Sequence, residues 1–161
     1  MGTQPNRIVA GLISDTHGML RPHVHSAFAG VDIIIHAGDV GGRDILDELR
    51  IIAPVYAVYG NTDQVDDPVL EGALTLSLGG IEVHVSHGHE LGCPTPDKLV
   101  AAYSHQVIVY GHTHRQLVER VGGQLVINPG AAGQRRFDLV ASVARLTVVD
   151  GEPEVEIVSL D

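Results

Sequence analysis

The sequence predicts an α/β fold in which two β-sheets lie between helices, and three observations carry that reading. Five short β-branched runs end at Gly, Ser, Asn or Asp, two gaps between the early ones carry helix-forming patterns, and three later pairs of runs are joined by Gly-Gly or Asp-Gly. In order, strands are expected at Ile8–Ser14, Ile33–Ala37 and Val55–Tyr59, with helices at Pro22–Ala29 and Arg43–Ile51 between them. The second helix is amphipathic: Ile45, Leu46 and Leu49 recur at helical spacing beside Asp47, Glu48 and Arg50. After Pro68 the pattern changes to a hairpin, Ala73–Leu78 and Ile81–Ser86 around Gly79-Gly80. Thr95 as N-cap and Pro96 at the first helical position open a helix to about His105, followed by a strand at Val107–Tyr110. Two more hairpins come next: Leu117–Arg120 with Leu125–Asn128 around Gly122-Gly123, and Val140–Val149 with Val155–Leu160 around Asp150-Gly151.

No repeat or low-complexity linker interrupts the pattern, so 1–161 reads as a single domain, and 44% hydrophobic residues in 161 suffice for one core. Twenty acidic against ten basic residues, a formal charge of −10, argue against a broad nucleic-acid or anionic-membrane surface. A small phosphorylated ligand held by local cations fits that balance. Cys93 is the single cysteine, which excludes an intramolecular disulfide framework and a cysteine-only metal site. No apolar run reaches the ~20 residues of a spanning helix, and Asn6 stands where a myristoylation signal needs Ser or Thr. The expected location is therefore the cytoplasm.

The residues directly after each core strand carry the functional signal. The strand ends read Ser14-Asp15-Thr16-His17-Gly18, Gly38-Asp39, Gly60-Asn61-Thr62-Asp63, Ser86-His87-Gly88-His89 and Gly111-His112-Thr113-His114. In open α/β sheets ligands bind at the carboxyl ends of strands, so these five sets of metal-ligating side chains are expected to converge on one site. A lone histidine on an apolar run is usually a packed or solvated imidazole; five sets in succession reverse that reading.

This ordered set, D-x-H, GD, GN, H and GHTH, resembles the calcineurin-like metallophosphoesterases. Its short length, SDTHG, HAGD, GNTD and Asn128-Pro129-Gly130 make it most similar to the small YfcE-type phosphodiesterases, over about Ile8 to Leu160. The resemblance implies a four-layer α/β/β/α fold and two divalent transition-metal ions. Asp15, His17 and His114 would hold one, Asn61, His87 and His112 the other, and Asp39 would bridge them. The oxygen and imidazole donors suit Mn²⁺ first, with Ni, Fe, Co or Zn as alternatives. It further implies a phosphodiesterase that hydrolyses a small or activated diester by a metal-bridging hydroxide, with Asp39, Asn61 and His87 most directly in catalysis. Two positions depart from the family pattern: Gly42 stands where many relatives carry a second Asp, and Thr62 where phosphatases often carry a histidine that assists the leaving group.

Around this set, Thr62, Asp63, His89, Arg135 and Arg136 are candidates to touch substrate or hold the ligands in place. Asp63 would orient the Asn61 loop or simply stabilise its turn, and Arg135 and Arg136 would meet a phosphate or lie exposed. His36 is read as a core group or a support for the ligands, His84 as lying on a half-exposed strand face, and His23, His25 and His105 as solvated. The partner expected is a small phosphorylated substrate, with self-association into a homo-oligomer as an option. The competing functions are a non-catalytic protein-interaction scaffold of the retromer-subunit type, disfavoured because a scaffold needs no seven converging ligands, and a phosphomonoesterase, against which Thr62 counts.

Overall fold

The computed structural model describes residues 6–64, 70–133 and 139–161. Among the described residues, ten strands form two five-stranded mixed sheets. The first contains β1 (Arg7–Ile13), β2 (Ile33–His36), β3 (Val55–Ala57), β9 (Ser142–Val149) and β10 (Glu152–Ser159), in the order β10-β9-β1-β2-β3. The second contains β4 (Ala73–Leu78), β5 (Ile81–Ser86), β6 (Val107–Val109), β7 (Leu117–Val121) and β8 (Gln124–Asn128), in the order β4-β5-β6-β8-β7. Three short helices complete the fold: α1 (His23–Ala27), α2 (Arg43–Arg50) and α3 (Pro96–Ala102).

Strand composition explains the layering. Along β1, Ala10 and Leu12 face the second sheet, while Val9 and Ile13 face α1 and α2. The same alternation runs through β6 and β8: Val107, Val109, Leu125 and Ile127 fill the space between the sheets, and Ile108 and Val126 pack with Leu99 of α3. Strands covered on both faces must be apolar throughout, which is why these runs show no polar alternation. Three cores in sequence, helix to sheet, sheet to sheet and sheet to helix, give the α/β/β/α sandwich.

All three predicted hairpins form with two-residue turns: Leu78 pairs with Ile81, Val121 with Gln124 and Val149 with Glu152. At the last, Asp150 and Gly151 both take positive φ, 51° and 80°, as a turn matching the strand twist requires. The Thr95 cap is present, its hydroxyl accepting from Lys98 N at 3.3 Å. Helices are shorter than expected. α3 stops at Ala102 rather than near His105, because Tyr103 turns to an extended backbone, φ −130°. β10 begins at Glu152, three residues before its expected start, because the tight turn brings Glu152 directly opposite Val149.

The parallel strands position the site. β1, β2 and β3 run parallel in one sheet, and β5, β6 and β8 in the other. Their carboxyl ends meet along one edge of the sandwich, where hydrogen bonds between loops, Asp15 N to Gly38 O and Gly111 N to His87 O, join them.

Candidate metal centre

Asp15 and Asp39 lie at the centre, both buried. In each, one carboxylate oxygen is held by the scaffold and the other faces imidazoles. Asp15 Oδ2 accepts from the Ser14 hydroxyl at 2.8 Å and His112 N at 3.2 Å. Asp15 Oδ1 has no hydrogen-bond partner and lies 3.4, 3.7 and 3.8 Å from Nε2 of His114, His87 and His17. Asp39 Oδ1 accepts from Thr62 N at 3.0 Å, and its Oδ2 lies 3.2 Å from His87 Nε2 and 3.5 Å from His17 Nε2.

These distances define two groups of three, Asp15 with His17 and His114, and Asp15 with Asp39 and His87, each compact enough for one cation. His87, fully buried, donates from Nδ1 to Ala37 O at 2.8 Å, which leaves the Nε2 lone pair toward the carboxylates. His112 stands beside it, ring edge to face at 5.2 Å. Asn61 lies exposed at the end of β3, flanked by residues that pin the loop to Asp39. A side chain at Gly60 would run into Asp39, and one at Gly111 into Ser14 and Asp15, so glycine permits the close approach of the strand ends.

Backbone conformation marks the same residues. Among the described residues, six other than glycine have positive φ: Asp15, His17, Asp39, His112, His114 and the hairpin Asp150. Five of the six are sequence-predicted ligands, and such conformations cost free energy that functional sites tolerate.

Electrostatics reflect burial set against proximity. Burial opposes ionisation of Asp39, but the adjacent His87 imidazole and the hydrogen bond from Thr62 N win and hold it well below the usual carboxylate range. Burial likewise opposes charge on His87, yet the neighbouring carboxylates of Asp39 and Asp15 raise its pKa. His112 moves down through burial and the neighbouring His87. A buried carboxylate oxygen and a buried imidazole nitrogen that lack hydrogen bonds are costly unless a cation joins them. Asp15 Oδ1 and His87 Nε2 are such a pair, so the donor set fits a divalent metal.

Supporting residues surround the ligands. Asp63 accepts from Val40 N, Gly60 N and Gly41 N at 3.0, 2.9 and 3.1 Å, so it orients the Asn61 loop and ties it to the Asp39 loop as well. His36 is buried, contacts Thr16 Oγ1 at 2.9 Å, and accepts from Gly38 N at 3.1 Å. Since Thr16 Oγ1 donates to Val40 O at 2.7 Å, His36 Nε2 carries its proton, and burial drops its pKa to about 4. Sequence reasoning assigned Asn128 no task. Its amide donates to Gly111 O and Thr113 Oγ1, both at 3.1 Å, and so shapes the turn that carries His112 and His114. The Asn-Pro-Gly at a sixth strand end was the available signal.

Two expectations need correction. His84 is buried rather than half-exposed, because Tyr103, just past α3, stacks on its ring at 3.6 Å and His105 lies 5.0 Å from it. His105 is partly covered and meets Thr75 Oγ1 at 2.9 Å. His23 and His25 are exposed as expected. Arg135 and Arg136 lie outside the described residues.

The calcineurin-like phosphoesterase superfamily domain model matches residues 8–151, which spans every strand end that carries a candidate ligand. The chain belongs to this superfamily. Its calcineurin-like domain is 35% identical over 153 residues to a probable metallophosphoesterase of Methanocaldococcus jannaschii, covering 89% of this chain and 77% of that protein. It is 34% identical over 142 residues to the phosphodiesterase YfcE of Escherichia coli, covering 73% and 76%. The fold matches zinc-complexed Vps29 of Entamoeba histolytica at TM-score 0.75, 23% identity, covering 96% and 100%. It also matches an archaeal phosphodiesterase at TM-score 0.72, 20% identity, covering 94% and 99%. At such identities these two structures speak for the fold alone. No helix among the described residues is long and apolar enough to cross a membrane.

Proposed function

We propose that this chain is a single-domain, cytoplasmic phosphodiesterase that uses two divalent transition-metal ions, Mn²⁺ first, to hydrolyse a small or activated phosphodiester. The observation that carries the reading is the division of labour in Asp15 and Asp39, each with one oxygen tied down and one turned toward imidazole nitrogens. Asp15, His17 and His114 would hold one ion, Asn61, His87 and His112 the other, with Asp39 shared. Bound there, the ions act as Lewis acids on a phosphoryl group and lower the pKa of coordinated water.

The chain's own groups supply orientation. Ser14 and His112 N fix the Asp15 carboxylate, Thr62 N fixes Asp39, and the Ala37 carbonyl fixes the His87 tautomer, so little reorganisation is left for binding. The site is reachable: the His17 side chain is 28% exposed. A cavity of about 300 Å³ opens beside Thr62 and Gly42, and one of about 320 Å³ beside His114 and Arg115. Of the two, the second is lined by a candidate ligand, His114, and offers room there for a substituent of the ester. Thr62 offers a hydroxyl of high pKa, which favours esters that leave without a proton.

The test is to strip the protein with chelator, add back Mn²⁺, Ni²⁺, Co²⁺ or Zn²⁺, and measure bound metal with hydrolysis of aryl phosphate mono- and diesters. Metal-free protein should be inactive, and reconstituted protein should prefer the diester. Asp39→Asn should lose more than the ~10–100-fold typical of outer hydrogen-bond partners, in metal affinity and in rate. Full activity after stripping, or no turnover with any of these ions, defeats the reading.

A further inference from the structure

We propose that His89 is a substrate-contacting residue whose imidazole hydrogen-bonds an oxygen of the bound phosphoester. The inference rests on the phosphoesterase reading above and extends it to a residue outside the ligand set.

His89 opens a single 3-10 turn, His89–Leu91, two residues after His87. Its ring lies 5.4 Å from that of His87, 6.3 Å from His112 and 6.5 Å from Tyr59, so it borders the cluster where the β3, β5 and β6 loops meet. It belongs to neither compact carboxylate and imidazole group. Its Nδ1 is buried and has no hydrogen-bond partner among the described residues. Buried polar atoms in native proteins are nearly always bonded, so an exception beside a candidate active site calls for an oxygen from outside the chain. In the complex a phosphoester oxygen takes that place.

The scaffold holds His89 there. Glu90 Oε1 accepts from Gly88 N at 3.0 Å, and its Oε2 accepts from the Ser86 and Tyr103 hydroxyls, both at 3.1 Å. Ser86 in turn meets His84 Nε2 at 2.9 Å, under the Tyr103 stack. The turn is thus braced from the far side of β5, and an imidazole on a braced turn keeps its position when a ligand arrives.

The experiment compares wild type, His89→Ala and His89→Gln, all reconstituted with Mn²⁺. Four quantities are read: metal content, thermal midpoint, affinity for inorganic phosphate by calorimetry, and kcat and KM on an aryl phosphodiester. His89→Ala should keep wild-type metal content and thermal midpoint while losing about tenfold in phosphate affinity, the size of one hydrogen bond. His89→Gln, which keeps a donor and an acceptor, should recover most of that loss. Unchanged phosphate affinity and kinetics in both variants overturn the proposal, and so does reduced metal content, which would make His89 a ligand. If wild type binds phosphate through His89 yet hydrolyses no ester, the hydrolase reading fails and the contact stands; if wild type binds no phosphate, the contact falls.

Discussion

At the scale of single residues, the division between ligands and their supports is what the sequence tells only in part. That Asp15, His17, Asp39, His87 and His114 come together was legible because each follows a strand and is a metal-ligating type. Asp63 was not resolved, because a turn Asp has several local uses and only tertiary structure reveals three backbone donors on one carboxylate. The geometry makes a sharp expectation. Asp63→Asn replaces one acceptor with an amide N–H₂ that meets backbone N–H groups head on, so it should cost about 1–3 kcal/mol in denaturant unfolding. It should also weaken metal binding through Asn61 and Asp39. Unaltered stability would show that the three donors are satisfied without it.

At the scale of elements, strands were easier to place than helix ends. Val107–Val109 and residues 33–35 are apolar on both faces because both faces are covered, and no turn or helix competes for such runs. His84 was misread for the same reason: period-two alternation says that it faces away from Val83 and Val85, but not that Tyr103 and His105 cover that face. The loops after the strands depend on backbone proximity as much as on side chains. Gly111→Ala tests this, since its methyl would strike the Ser14 hydroxyl and lie 2.8 Å from Asp15 Oδ2. Overpacking of this kind costs roughly 1–3 kcal/mol, and the strand end would have to retreat. Metal affinity should fall far more than for Gly122→Ala, which meets nothing within 4 Å. Equal affinities in the two variants would mean that the β6 and β1 ends need no close contact.

At the scale of the whole molecule, buried neutral imidazoles set an acid limit. Burial lowers the pKa of His36 to about 4, and burial with the nearby His105 lowers that of His84 to about 4, from 6.5. Between those values the unfolded chain binds protons that the folded chain refuses, so stability rises with pH across this window and is lost as pH falls through it. For His36 alone, moving from pH 7 to pH 5 costs about 2 kcal/mol. His87, with a raised pKa, acts in the opposite sense: its contribution is full at low pH and fades as pH rises through its folded value. The thermal midpoint of chelated protein should therefore fall from pH 7 to pH 5. In His84→Phe, which keeps a ring against Tyr103, it should fall less; an identical fall would exonerate His84. The overall sandwich was legible because glycine-marked hairpins and helical spacing bounded its layers, whereas the packing over β5 was not.

The left-handed backbone of five candidate ligands has a consequence for how such a protein changes under selection. Glycine would relax the chain at Asp15, His17, Asp39, His112 and His114, each of which holds φ between 47° and 72°. A lineage, or a laboratory library, screened only for heat resistance without metal should drift toward glycine at these positions and so trade the site away for a calmer backbone. Side chains that persist there under long selection are evidence of use, because folding alone would discard them.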